Sequence, residues 1–335
     1  MLKFGVVNIF PPASSALEKL RLAERLEFDT FWVADSHVIW NETYSLFGWL
    51  IAQCDSERLQ FGTMVTNPVS RDPIVVASAF ATLQDVSGGR MLCGIGRGDS
   101  SVRLLNRHPA KVAELADAVT LIRTLASGDS MEIGGKVVSL EWATGVPVPV
   151  LVAGYGARML ETAGRVGSGV ILECADPHFV SWALEHVHRG AREAGRDPSD
   201  LSVVCSTATY VSDDIALARD QVRPFGAVVG NHVAEVLRNT GANSLPPELE
   251  AFVANRPEYD YAKHVHREEE QANYVPDSIV DRLCITGPLD KCVERLRELA
   301  DLGVTHVNFY AQTDNYDEQM ELYAREIIPH FRNAS

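Results

Sequence analysis

The chain has 335 residues, 46% of them hydrophobic and 22% charged, with a formal charge of −15. A core of that size needs no disulfide or metal staple, and the acidic balance argues against nucleic acid and anionic membrane surfaces as partners. No apolar run approaches the roughly 18 residues of a membrane span, and Met1-Leu2-Lys3 leads into a strand without a secretory signal, so the expected compartment is the cytoplasm.

In chain order, Lys3 to Ile9 reads as a strand and Ala16 to Leu26, apolar every three to four residues, as a helix lying on a sheet. Thr30 to Ala34 is strand two, followed by the loop Asp35-Ser36-His37-Val38-Ile39-Trp40 and a helix over Tyr44 to Ala52. Strand three, Leu59 to Val65, ends in Thr66-Asn67-Pro68. Pro73 sacrifices no hydrogen bond at a first helical position and opens a helix to Val86, which Ser87-Gly88-Gly89-Arg90 stops. Met91 to Ile95 is strand four, ending in Gly96-Arg97-Gly98-Asp99-Ser100. A helical stretch over Pro109 to Leu125 precedes a hairpin, Met131 to Leu140, turning at Gly134-Gly135. Pro147 to Val152 is strand five, Ala157 to Val166 a helix, Gly169 to Leu172 strand six, Phe179 to Ala194 a helix, and Ser202 to Val211 strand seven. From about 213 to 275 the pattern is irregular, with Leu245-Pro246-Pro247 and Arg256-Pro257, and is read as an insertion of short helices. Leu289 to Leu302 is helical and closes at Gly303, Val304 to Tyr310 is strand eight, and Tyr316 to Ile328 is the closing helix.

Eight strands each followed by a helix describe a (β/α)8 TIM barrel with insertions, one domain over residues 1–335. Loops at the C-terminal ends of its strands then share one mouth, bringing Asp35, Thr66, Gly96, Gly154 and Glu173 together. Gly154-Tyr155-Gly156-Ala157-Arg158 joins a strand to a helix, where glycines admit a ligand to the backbone and free N–H groups face an anion. His37 can exchange a proton near neutrality, and Trp40 offers an apolar wall that keeps water out; these are the candidate catalytic residues. The six cysteines form no CxxC pair and read as small buried hydrophobes. No metal site is expected, because His186-Val187-His188 and His264-Val265-His266 are i,i+2 pairs that do not share a helix face.

Four segments carry a resemblance: VTNPVSRDP at 65–73, ATLQDVSGGR at 81–90, GIGRGDS at 94–100 and AGYGARMLETAGRVGSGVIL at 153–172. They resemble the luciferase-like superfamily of flavin and deazaflavin enzymes, nearest its methylenetetrahydromethanopterin-reductase branch, over nearly the whole chain and least between about 213 and 275. The resemblance implies a barrel that binds FMN or coenzyme F420, its ring against a bulge at the end of strand three with a non-prolyl cis bond at Met64 to Val65. It makes Gly154, Tyr155, Gly156, Ala157 and Arg158 the phosphate cradle. It places Gly96, Arg97 and Gly98 in the pocket wall, Thr66 and Asn67 at the polar edge of the ring, and Glu173 and Cys174 near the ring or ribityl chain. Relatives show Asp-His adjacent, whereas Ser36 intervenes here before His37.

Three functions stay open. The first is an FMN-dependent monooxygenase oxidising a small organic substrate, its flavin reduced in place or by a separate flavin reductase. The second is an F420-dependent oxidoreductase that transfers a hydride to or from a small substrate. The third is a flavin-binding protein without turnover. A homo-oligomer, dimer or higher, is implied by the resemblance.

Overall fold

The computed structural model describes residues 1–9, 12–240, 247–254, 256–257, 259–261, 272–310 and 313–332. Its strands are β1 (Lys3–Asn8), β2 (Thr30–Val33), β3 (Gln60–Thr63), β4 (Met91–Ile95), β5 (Met131–Ile133), β6 (Lys136–Val138), β7 (Val150–Ala153), β8 (Gly169–Leu172), β9 (Ser202–Val211), β10 (Ile285–Gly287) and β11 (His306–Tyr310). The α-helices are α1 (Ala13–Arg25), α2 (Thr43–Gln53), α3 (Pro73–Val86), α4 (Ser100–Arg103), α5 (Val112–Ala126), α6 (Ala157–Val166), α7 (Pro177–Glu193), α8 (Ile215–Thr240), α9 (Pro247–Ala254), α10 (Asp277–Leu283), α11 (Leu289–Asp301), α12 (Tyr316–Leu322) and α13 (Pro329–Arg332).

Strands β1, β2, β3, β4, β7, β8, β9 and β11 pair in parallel in that order, and β11 returns to β1, with Phe4 opposite Val307. The closed ring leaves no barrel edge to protect, which is the (β/α)8 architecture expected from the alternation. Its strands are buried on both faces, so β2 and β4 read as continuous apolar runs rather than alternating ones. The expected helix starts are built as the local chemistry dictates. Asp72 caps α3 and Asp176 caps α7, each accepting a backbone N–H of the first turn, and each is followed by a proline.

Close backbone approach explains one glycine. A Cβ on Gly94 of β4 would lie 2.1 Å from the Thr63 carbonyl oxygen, so only glycine lets β4 pass the end of β3 there.

Several features differ from the sequence reading. Strand five runs Val150–Ala153, because Pro147 and Pro149 cannot donate to a ladder. A short strand, β10, pairs with the far end of β9 outside the ring, too brief to stand out as a periodic segment. The span read as irregular begins with one 26-residue helix, α8, whose periodicity Pro224, Gly226 and Gly230 disguise. The closing helix is continuous in path but passes from α12 into a π turn at Tyr323–Ile327 before α13.

Candidate functional site

The loops leaving β2, β3, β4, β7 and β8, together with one face of α8, enclose a cavity of about 810 Å³. Thirteen of the expected cofactor contacts line it: Met64, Val65, Thr66, Asn67, Gly96, Arg97, Gly98, Gly154, Tyr155, Gly156, Ala157, Arg158 and Glu173, with Trp40 among the walls. The Met64–Val65 peptide is cis, at the position the resemblance implied. Thr66 N–H then donates to the Gly94 carbonyl and Gly96 N–H to the Thr66 carbonyl, each at 2.9 Å, which ties the bulge to β4. Gly96 clears the space beside it, since a Cβ there would stand 3.1 Å from a Val65 methyl.

Thr66 and Asn67 face the cavity with their polar groups already engaged. The Thr66 hydroxyl accepts from Tyr44 at 3.1 Å. Asn67 Oδ1 accepts the Val69 and Ser70 N–H groups at 3.0 and 2.9 Å, and its amide donates to Ser101 at 3.1 Å. Asn67 therefore shapes its own turn and retains one amide hydrogen for a ligand. Arg97 likewise ties the chain together, its Nε donating to the Ala110 carbonyl at 2.5 Å.

At the start of α6, Gly156 is the capping residue with no side chain to occupy the first-turn N–H groups. Arg158 is exposed in that first turn and reaches the cavity rim. A helix N-terminus plus a guanidinium is a site for a phosphate-sized anion.

Glu173 leaves β8 toward the cavity, where Tyr155 donates to its Oε2 and Tyr310 to its Oε1, both at 2.9 Å. Burial and the Glu173 charge hold both phenols well above the usual tyrosine range, so both stay protonated donors. Cys174, the next residue, does not line the cavity. Alternation at the strand end turns it outward, where its sulfur accepts the Asp176 N–H at 3.3 Å and burial pushes its thiol well up.

His37 is also off the cavity lining. Its Nδ1 stands 3.9 Å from Asp35 Oδ1, beyond hydrogen-bond reach, with the side chain a quarter exposed at the rim. The chain turns at Ser36, whose hydroxyl bonds that of Ser100 and whose carbonyl accepts the Ile39 and Trp40 N–H groups. His37→Ala is accordingly expected to leave cofactor affinity within about twofold, measured by fluorescence titration; a larger loss would put the ring in contact with the ligand.

Sequence reasoning placed Asp35 at the mouth but passed over its partner and several other groups. Asp35, fully buried, takes a bidentate fork from Arg71 at 2.7 and 2.8 Å, while the Arg71 guanidinium stacks 4.5 Å over the Tyr44 ring. Burial pushes the Asp35 carboxyl up, but the hydrogen bonds and charge of Arg71 more than offset this and hold it below the usual aspartate range. Asp99 lay inside a quoted motif, whereas His232 of α8 and Tyr310 of β11 carried no signal beyond residue type. His186 pairs with Glu161 at 3.0 Å, and His264 and His266 lie outside the described residues. Among the described residues no helix is long and apolar enough to cross a membrane.

Comparison with known proteins agrees with this fold. The chain is 28% identical to a 5,10-methylenetetrahydromethanopterin reductase of Methanolobus tindarius, over 98% of this chain and 100% of that one. It is 29% identical to an F420-dependent glucose-6-phosphate dehydrogenase of Beutenbergia cavernae, over 93% and 91%. In structure it superposes on the coenzyme F420 dependent tetrahydromethanopterin reductase of Methanopyrus kandleri with a TM-score of 0.76 and 21% identity, over 99% of each chain. The luciferase-like monooxygenase family model matches residues 5–306. A parallel barrel whose mouth carries the cis bulge and the glycine cradle, matched by that model over most of its length, belongs to the luciferase-like monooxygenase family of oxidoreductases.

Proposed function

We infer that the chain is an F420-dependent oxidoreductase that transfers a hydride to or from a small substrate. The observation that carries this reading is the near full-length likeness to a dehydrogenase named for F420, at 29% identity. The FMN monooxygenase, first of the functions left open by the sequence, has support from the family model and, for the fold alone, from the likeness to an FMN-bound monooxygenase at 17% identity.

The cavity suits a phosphate-bearing deazaflavin. The first turn of α6 and Arg158 provide the anion cradle, and the bulge at Met64–Val65 beside Gly94 and Gly96 provides a platform for a flat ring. The three carboxylates of the lining are not bare charges opposing an anionic cofactor, and Asp35 is held by the Arg71 fork. Asp99 is paired with Arg103 at 3.1 Å, and both Glu173 oxygens accept tyrosine hydroxyls. When bound, the deazaflavin supplies hydride chemistry at its ring. The protein's part is to seat the phosphate, press the ring on Val65, and exclude water with Trp40, Phe225 and Val228.

The same reading takes residues 1–335 as one domain in which α8 and α9 form the insertion. It includes a homo-oligomer, for which Trp49, Val75 and Val86, exposed on α2 and α3, offer apolar surface.

The test is titration of the purified apo-protein with F420, FMN and FAD, followed by oxygen uptake with each reduced form. F420 is expected to bind at least about tenfold more tightly than FMN, a difference of about 1.4 kcal/mol, with negligible oxygen consumption. Tighter FMN binding with oxygen uptake would reinstate the monooxygenase.

A further inference from the structure

His232 sits about two-thirds of the way along α8 and engages both ring nitrogens at the cavity wall. Nε2 is 3.1 Å from Asp99 Oδ2, and Nδ1 is 3.0 Å from the Tyr155 hydroxyl. That hydroxyl stands 2.9 Å from Glu173 Oε2, whose partner oxygen accepts from Tyr310. Other charged and titratable groups bear on the row from neighbouring elements. Arg103 of α4 donates to Asp99 Oδ1 at 3.1 Å, and Tyr261, bonded to Asn231, lies beside Arg103. Asp99, Tyr155, Glu173, His232 and Tyr310 all line the cavity.

With the ring as imidazolium, every donor in the row has an acceptor: Nε2–H to Asp99, Nδ1–H to Tyr155, and the Tyr155 hydroxyl to Glu173. One concerted shift converts this arrangement into another that is equally satisfied. The Nδ1 proton passes to the Tyr155 oxygen as the Tyr155 hydroxyl proton passes to Glu173 Oε2. One N–H and one O–H bond break, two O–H bonds form, and imidazolium plus carboxylate become imidazole plus carboxylic acid without movement of a heavy atom. Tyr155 is suited to the middle position because its phenol resists ionisation and so relays a proton rather than losing one.

We propose that His232, Tyr155 and Glu173 form a proton wire, with Glu173 as the terminus that takes the hydroxyl proton of an alcohol oxidised in the cavity, or returns it to the carbonyl reduced there. Oxidation of an alcohol removes a hydride from carbon, accepted by the deazaflavin, and a proton from oxygen, accepted by Glu173, leaving the carbonyl. The substrate class rests on the hydride-transfer reading above, while the wire is a property of the protein alone. Glu173 is thereby assigned to proton transfer rather than to holding the cofactor.

The wire is tested in the cofactor-free protein by following His232 with side-chain 15N NMR across pH. Glu173→Gln is expected to lower the proton affinity of the ring by about tenfold or more, since opposite charges 3.6 Å apart attract by more than one pKa unit at an effective dielectric of about 20. Tyr155→Phe keeps both charges, so the ring's affinity is expected to stay within about threefold while F420-dependent alcohol turnover falls about a hundredfold. A His232 affinity indifferent to Glu173→Gln overturns the wire, as does undiminished turnover in Tyr155→Phe. If Tyr155→Phe does not fold, the Glu173→Gln measurement decides by itself. Absence of F420 binding by the native protein would remove the alcohol assignment, and the NMR result would still decide the wire.

Discussion

An Arg71→Met protein is expected to lose about 3–5 kcal/mol of stability at neutral pH, the range for removing one partner of a buried ion pair. The cost arises less from the lost attraction than from the Asp35 carboxylate left behind, which has no exposed side-chain surface and loses both bonds of the Arg71 fork. Arg71 also spans Glu42 at 2.8 Å, but Glu42 is nearly half exposed and can turn to water. The pH dependence gives the mechanism a signature. In the native chain the Asp35 pKa lies below its unfolded value, so its contribution is fully present above the ordinary aspartate range and is lost as pH falls through the depressed folded pKa. Without Arg71, burial prevails and raises the folded pKa, so protonation on acidification relieves the uncompensated charge. The stability gap between native and variant therefore narrows as pH drops from 7 toward about 4. Urea unfolding at several pH values measures both quantities. A gap below about 1 kcal/mol at pH 7, or one that widens in acid, would mean that the pair does not hold the β2 and β3 loops together.

What could be read from residues alone followed from how local each signal is. Strand and helix alternation is a pattern of short period, and it located the eight barrel strands within a few residues. The turn chemistry at Pro73, Gly134-Gly135 and Gly303 is also local, and the glycines there have positive φ as those turns need. Residues that meet across long sequence separations were not legible. Asp99 and His232 are 133 positions apart, and Glu173 and Tyr310 are 137 apart. Nothing in α8 marks His232, because its packing face is broken by Pro224 and two glycines. The placement of His37 shows a different limit. The motif put a histidine at the mouth, and the structure sets His37 at the rim, off the cavity lining, because composition does not carry which loop side chain turns inward.

Gly156→Phe is expected to lower F420 affinity by at least about a hundredfold, close to 3 kcal/mol, while leaving thermal stability near that of the native chain. Gly156 has φ −88° and ψ 149°, which any L-residue adopts, so the glycine is not there to relieve backbone strain. Nor is the position crowded, since a Cβ would meet nothing nearer than the Val236 methyls at 3.8 Å. Gly156→Ala thus serves as the control, folding normally and binding within about threefold of native. A benzyl group, in contrast, outgrows that 3.8 Å clearance and extends into the cavity that Gly156 and Val236 both line. Arg158→Ala should cost about 1.5–3 kcal/mol of binding for the lost charge-assisted bond and should weaken the salt dependence of affinity. The two changes separate the sources of anion affinity, because Gly156→Phe blocks the helix N–H groups while leaving the guanidinium in place. Unaltered affinity in Gly156→Phe would move the phosphate away from α6, and Lys111, on the cavity rim ahead of α5, would become the cation to examine.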